Sequence, residues 1–343
     1  MKRAVILTCG TSVLLSRSAP KAGKEPLGAE LLACWERAID EDTALAALIA
    51  DPKARIPSHF DMTALERAFL GVGRRFISKQ QPNDKGHYEQ RLRQFGAEAE
   101  SLLRRTVRKG PDDTVLEDDD RVALLVSETS HGFISGLIIA LLIGREARVW
   151  QRSTETEQHP PRARWQPLGL TSQSGDTDVS RPAPVDIFVI KGLTVEEDDS
   201  VLSDLRSCAV AICGALISTV PTREDRLEGW ADVGDVEVEL TGGYKVTLPL
   251  THTLLSYFGT FVPADLTVFL RHDRSPDRWI PSALRRLGLG EVRRHLRELR
   301  QVRESPSLEP GSTNLRGFGW IDRHGRRELT PEGTGLLELQ QLL

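Results

Sequence analysis

The stretch Lys2-Arg3-Ala4-Val5-Ile6-Leu7-Thr8-Cys9-Gly10-Thr11-Ser12 joins a short apolar run, Ala4–Leu7, to a turn carrying a glycine and hydroxyls at Thr8, Thr11 and Ser12. It predicts a buried strand over Ala4–Thr8 that ends in a turn and opens a helix. The pattern returns far along the chain, where the alternating run Val236-Glu237-Val238-Glu239-Leu240 leads into Thr241-Gly242-Gly243-Tyr244-Lys245. In an open parallel sheet, ligands bind in the crevice outside the carboxyl ends of the strands. Glycine there lets backbone N–H groups approach an anion, and a helix N-terminus adds partial positive charge. The hydroxyls of Thr11 and Ser12 and the Lys245 ammonium complete a cradle of polyphosphate size. Together the two turns predict a nucleotide site.

Each feature has a plainer reading. Gly10 can simply bend the chain while Thr11 and Ser12 cap the next helix. Lys245 resists that reading, because a cation at a helix start is unfavourable unless an anion sits there too.

Further strands are predicted over Arg121–Ser127, Ala147–Gln151, Val185–Ile190 and Asp265–Arg271. Helical periodicity marks Ala29–Ile49, Met62–Ile77 behind a capping Asp61, Tyr88–Val107, His131–Ile143 and Val201–Ile217. Strands alternating with helices predict an α/β fold, a doubly wound, mostly parallel sheet with a helical insertion at about residues 28–110. Trp150–Pro184 reads as a long surface loop. Beyond residue 272 the character changes. Pro276–Arg303 reads as one or two Arg-rich helices, Gly317–Ile321 and Arg326–Leu329 as a hairpin, and Thr330-Pro331 as the start of a last helix. That order predicts a small winged-helix-like domain over 273–343, following a sheet domain over 1–272.

The 343 residues are 39% hydrophobic and 27% charged, enough for a packed core under a polar surface. Net charge is −4, unevenly spread: residues 271–343 hold 14 Arg, no Lys and 10 acids, leaving −8 on the remainder. A basic tail fits nucleic acid, although Arg and Glu pairing along helices gives the same composition. Cys9, Cys34, Cys208 and Cys213 show no metal-type spacing and read as reduced core thiols. The longest apolar run, Leu137–Ile143, is far short of a membrane span, and no targeting segment is evident. A cytoplasmic protein without membrane contact, metal or cofactor is expected.

A third strand and turn, Leu124-Leu125-Val126-Ser127-Glu128-Thr129-Ser130-His131-Gly132, lies between the first two, and the segment Gly96-Ala97-Glu98-Ala99-Glu100-Ser101-Leu102 precedes it. In that order, the chain resembles the CRISPR-associated Rossmann-fold (CARF) family, in the ring-nuclease-like branch with a short C-terminal domain. The resemblance covers roughly residues 1–272. It implies a Rossmann-like sheet that binds a cyclic oligoadenylate across the dyad of a homodimer. It further implies cleavage of that ring, the tetra-adenylate by preference, which switches off type III CRISPR signalling. By position, Ser12 and Lys245 match the catalytic pair. Gly10, Thr11, Gly242 and Gly243 match the backbone cradle, Thr8, Thr241 and Tyr244 are expected to bind ligand beside it, and Ser127, Glu128, Thr129, His131 and Gly132 make up the middle motif, also expected to bind ligand. Two departures stand out: Leu15-Ser16-Arg17 where the family often has Asn, and His131 where an acid is common.

A neutral imidazole at His131 near a ribose 2′-OH would suit a general base, whereas its plainer role is a solvated residue at a helix start. Ser127, Glu128 and Thr129 either contact adenine or ribose or cap the helix. Two further functional readings remain. One is a DNA-binding regulator gated by the cyclic nucleotide, using Arg285, Arg286, Arg293, Arg294, Arg297 and Arg300, with Glu291, Glu298 and Glu304 interleaved against it. The other is an ordinary nucleotide-binding α/β enzyme.

Overall fold

The computed structural model describes residues 2–10, 28–78, 90–106, 115–152, 165–172, 182–191, 230, 232–239, 259, 264–272, 275–282, 288–306, 320–323, 326–330, 333–334 and 337. Its centre is an eight-stranded sheet. In chain order the strands are β1 (Lys2–Thr8), β3 (Arg121–Ser127), β4 (Ala147–Arg152), β5 (Trp165–Pro167), β7 (Val185–Ile190), β8 (Val233–Glu239), β9 (Asp265–His272) and β10 (Ser275–Ser282). Their spatial order is β10-β9-β8-β1-β3-β7-β4-β5. The six inner strands are parallel, and the two edges, β10 and β5, are antiparallel. The fold is therefore α/β, with a mostly parallel sheet compatible with a Rossmann-like architecture.

Every strand expected in the sheet is present, because runs such as Val-Ala-Leu-Leu-Val at 122–126 are buried on both faces. The helical insertion between β1 and β3 is also present, but its helices are shorter than the periodicity predicts. Ala29–Ile49 divides into α1 (Ala29–Glu41) and α2 (Thr43–Ala50). The break is at Asp42, whose carboxylate accepts from the N–H groups of Ala44 and Leu45 and so starts a new helix. Met62–Ile77 divides into α3 (Thr63–Phe69) and α4 (Val72–Ser78) at Gly71, where φ is +73°. Tyr88–Val107 is interrupted at Gly96, φ +84°, which precedes α5 (Ala97–Arg105). Hydrophobic spacing continued across all three breaks; the turn chemistry that made them is local.

Two expectations need correction. The Trp150–Pro184 region is not loop throughout: β5 extends the sheet beyond β4, and β6 (Gly169–Thr171) pairs in parallel with β2 (His59–Asp61) in the insertion. Trp165, buried edge-on against Phe188, anchors that return. The segment from Pro276 to Ser282 is strand rather than helix. As β10 it pairs antiparallel with β9, so the sheet runs on to Ser282, past the boundary expected at 273. Beyond it, α7 (Leu289–Glu304) packs on the antiparallel ribbon of β11 (Trp320–Arg323) and β12 (Arg326–Leu329).

The main core lies between one sheet face and the insertion. Val5, Leu7, Leu124, Val126, Ile187 and Val189 project from the strands toward α1, α3, α5 and the apolar α6 (Ser130–Leu142). No helix among the described residues is long and apolar enough to cross a membrane.

Candidate functional site

The three strands that carry the motifs are neighbours, in the order β8-β1-β3, and all are parallel. Leu7 pairs with Glu239 on one side, and Thr8 with Leu125 on the other. Their carboxyl ends therefore reach one edge of the sheet together. The chain leaves β1 toward β3, builds β4 and β7 on that side, and only then crosses to the far side for β8 and β9. The β1/β8 boundary is thus the topological switch point, where connections diverge and where open α/β sheets commonly bind ligands.

At the first motif, Thr8 closes β1 and is buried. Cys9 N–H donates to the Leu125 carbonyl at 2.8 Å and carries the β1–β3 ladder one step further. Gly10 N–H donates to Glu98 Oε1 on α5 at 3.0 Å. That donor was expected to face a phosphate; here it is held by a carboxylate. Burial pushes the Cys9 thiol well above its usual range, and the Glu98 carboxylate adds to the effect. Cys9 is a protonated core residue, without thiolate reactivity.

At the middle motif, Ser127 and Thr129 share a hydroxyl–hydroxyl hydrogen bond of 2.7 Å. Thr129 caps α6, its Oγ1 accepting from Gly132 N–H at 3.0 Å, and Glu128 N–H donates to the Ile190 carbonyl of β7. Gly132 allows α6 to approach β3: a Cβ there would lie 2.2 Å from Ser127 Oγ and 2.7 Å from the Ser127 carbonyl oxygen. His131 is half-buried, and its Nε2 sits 2.8 Å from the Ile49 carbonyl oxygen. A carbonyl only accepts, so Nε2 carries the proton. Ser130 Oγ donates to the Asp51 carbonyl at 2.7 Å. The start of α6 is thereby tied at two points to the end of α2.

Thr11, Ser12, Thr241, Gly242, Gly243, Tyr244 and Lys245 lie outside the described residues, as do Cys208, Cys213 and the helix expected at Val201–Ile217.

Sequence reasoning gave no individual role to the α5 side chains that meet the ends of β1 and β8. Glu98, Ser101 and Arg105 lie on α5 and reach β1 and β8. Ser101 Oγ donates to Glu239 Oε2 at 2.5 Å, and Arg105 pairs with Glu237. Arg3 joins the same layer through Asp120 at 3.1 Å and Glu237 at 3.5 Å. The available signal was the Val-Glu-Val-Glu alternation of β8, which sets its acids on one face.

A separate cavity of about 800 Å³ lies within the insertion, lined by Glu41, Asp51, Arg55, His59, Asp61 and Arg67 among others. Several of these groups are engaged in the fold: Arg67 with Glu41, His59 with Thr171, and Asp61 with the Thr63 N–H. Among the described residues, no group of His, Cys, Asp and Glu is arranged to hold a metal ion.

No family model matches the chain, and no curated protein matches it.

Proposed function

We propose that the protein binds a cyclic oligoadenylate, with the tetra-adenylate as its ring, across the dyad of a homodimer and cleaves it, ending type III CRISPR signalling. The observation that carries the reading is the contiguity of β8, β1 and β3 at the switch point, since all three motifs follow those strand ends. A two-fold ring fits a two-fold pair of such edges. Cleavage needs no enzyme nucleophile. The ribose 2′-OH attacks its own phosphorus, a new O–P bond forms, the bond to the 5′ oxygen breaks, and a 2′,3′-cyclic phosphate remains with a 5′-OH. Lys245 is assigned to charge on the phosphorane oxygens, and Ser12 to a non-bridging oxygen or the ribose.

The test is incubation with radiolabelled cyclic tetra- and hexa-adenylate in EDTA. Linear products from the wild type, formed about 10²–10³ times more slowly by Lys245→Ala, support the reading. Bound but intact ligand overturns cleavage; absence of binding overturns the whole reading.

One observation favours a second reading, a ligand-gated DNA-binding regulator with a winged-helix-like C-terminal part. Glu298, which interrupts the arginine series in sequence, is buried, whereas Arg293, Arg294, Arg297 and Arg300 are exposed on α7. The exposed surface is more basic than the composition.

A further inference from the structure

Helix α5 runs antiparallel to β1 and β8 and touches the ends of both. Its first turn reaches the first motif, where Glu98 accepts the Gly10 N–H at 3.0 Å. One turn later Ser101 donates to Glu239, two residues before Thr241, and a further turn on Arg105 pairs with Glu237 and approaches Glu239 at 3.9 Å. The spacings match: four helical residues rise about 6 Å, and two strand residues about 6.6 Å. The layer is largely buried, although Glu237 keeps 16% of its side chain exposed. Glu98 is 6% exposed, Ser101 0%, Arg105 8% and Glu239 3%. Buried carboxylates and guanidinium groups are costly unless well paired, and apolar residues of similar size often stabilise a core as well. Stability alone gives little reason for this polar layer. A layer of directional bonds does fix one relative position of the groups it joins.

We propose that Glu98 is a positioning residue, and that α5 sets the spacing between the carboxyl ends of β1 and β8 by holding Gly10 through Glu98 and Glu239 through Ser101 and Arg105. The claim concerning ligand rests on the function proposed above; the claim concerning the turn does not. Two measurements on the full-length protein separate them. The first is hydrogen exchange without ligand. Glu98→Ala is expected to speed exchange of the Gly10 amide at least about tenfold, while Glu98→Gln, which keeps an acceptor oxygen, stays near wild type. Unchanged exchange in Glu98→Ala overturns the clamp.

The second is affinity for radiolabelled cyclic tetra-adenylate. Glu98→Ala is expected to bind about tenfold more weakly, with recovery in Glu98→Gln. Leu102→Ala, a cavity variant in the same helix that removes no hydrogen bond or ion pair, is expected to lower stability and keep affinity. Equal losses in Glu98→Ala, Glu98→Gln and Leu102→Ala would mark a merely structural helix and overturn the positioning role. If the wild type binds no cyclic oligoadenylate, the proposed function fails and the exchange result alone decides the clamp. Should Glu98→Ala be insoluble, Ser101→Ala tests the β8 end by the same affinity measurement, and wild-type affinity there overturns the proposal.

Discussion

At the scale of single residues, the middle motif separates into parts that a sequence pattern cannot distinguish. Gly132 and Thr129 were legible as a turn and a cap, but the reason for the glycine is steric and lies in Ser127, five residues earlier in sequence and directly beneath in space. Gly132→Ala must push α6 off β3. A loss of about 1–3 kcal/mol is expected, read as a lowered melting temperature. Ser127→Ala in the same chain should restore only part of it, because the Ser127 carbonyl oxygen also lies within 3 Å of the added carbon. His131 was read either as a base or as a solvated helix-start residue, and it is neither free nor fully solvated. Its Nε2–H is committed to Ile49, so the ring acts as a clasp between α6 and α2. His131→Gln keeps a donor on that side chain. Cleavage of cyclic tetra-adenylate by this variant is expected to stay within about threefold of wild type, whereas removal of a general base costs about 10²-fold or more. A loss of that larger size in a single-turnover assay would restore the base assignment.

At the scale of elements, strands were more legible than helices because burial on both faces writes a continuous apolar run, while helix ends depend on one or two residues. Asp42, Gly71 and Gly96 each broke a helix whose apolar spacing continued past them. The edge strands β5 and β10 were missed for a related reason. Each pairs with a neighbour on one side only, and their sequences, Trp-Gln-Pro and Ser-Pro-Asp-Arg-Trp-Ile-Pro-Ser, carry the prolines typical of edges and no apolar run. The element-level tie least visible in sequence is Asp186 on β7, which is wholly buried. It accepts from Arg148 Nε at 2.9 Å and Nη2 at 3.0 Å, and from the indole N–H groups of Trp150 and Trp230 at 2.9 Å each. One carboxylate thus joins β7, β4 and the residue leading into β8. Asp186→Ala leaves a guanidinium and two indoles without their acceptor, and a loss of about 3–5 kcal/mol is expected by chemical denaturation. Asp186→Asn retains one acceptor oxygen and should lose less. Equal stability of wild type and Asp186→Ala would show that this tie contributes nothing.

At the scale of the whole molecule, the sequence carries the class of fold but not the side of the sheet to which each strand goes. Alternating strands and helices predict a doubly wound sheet. That β8 crosses back to lie against β1, rather than continuing outward beyond β4, is a long-range choice without a local signature. The choice matters because it alone brings the first and third motifs to adjacent strand ends. Charge distribution shows the same limit. The C-terminal excess of arginine was visible, and of the three interleaved acids that argue against a nucleic-acid face only Glu298 is buried, while Glu291 is half-buried and Glu304 exposed. The period of α7 turns Glu298 inward with Val292, His295, Leu296, Leu299 and Val302, leaving Arg293, Arg297 and Arg300 along one exposed line. If that line meets phosphates of duplex DNA, affinity must fall steeply with salt, by about 0.9 in log–log slope for each phosphate neutralised. Replacing Arg293, Arg297 and Arg300 together with Gln should flatten the slope by up to about 2.7 without altering the melting temperature, since none of the three is buried. Mobility shifts of a duplex at several salt concentrations, with and without cyclic tetra-adenylate, then separate the two functions. A slope that flattens in the triple variant, with wild-type affinity that responds to the cyclic nucleotide, identifies a gated regulator. An identical slope in wild type and variant removes DNA from the account of α7 and leaves its arginines as a solvated face.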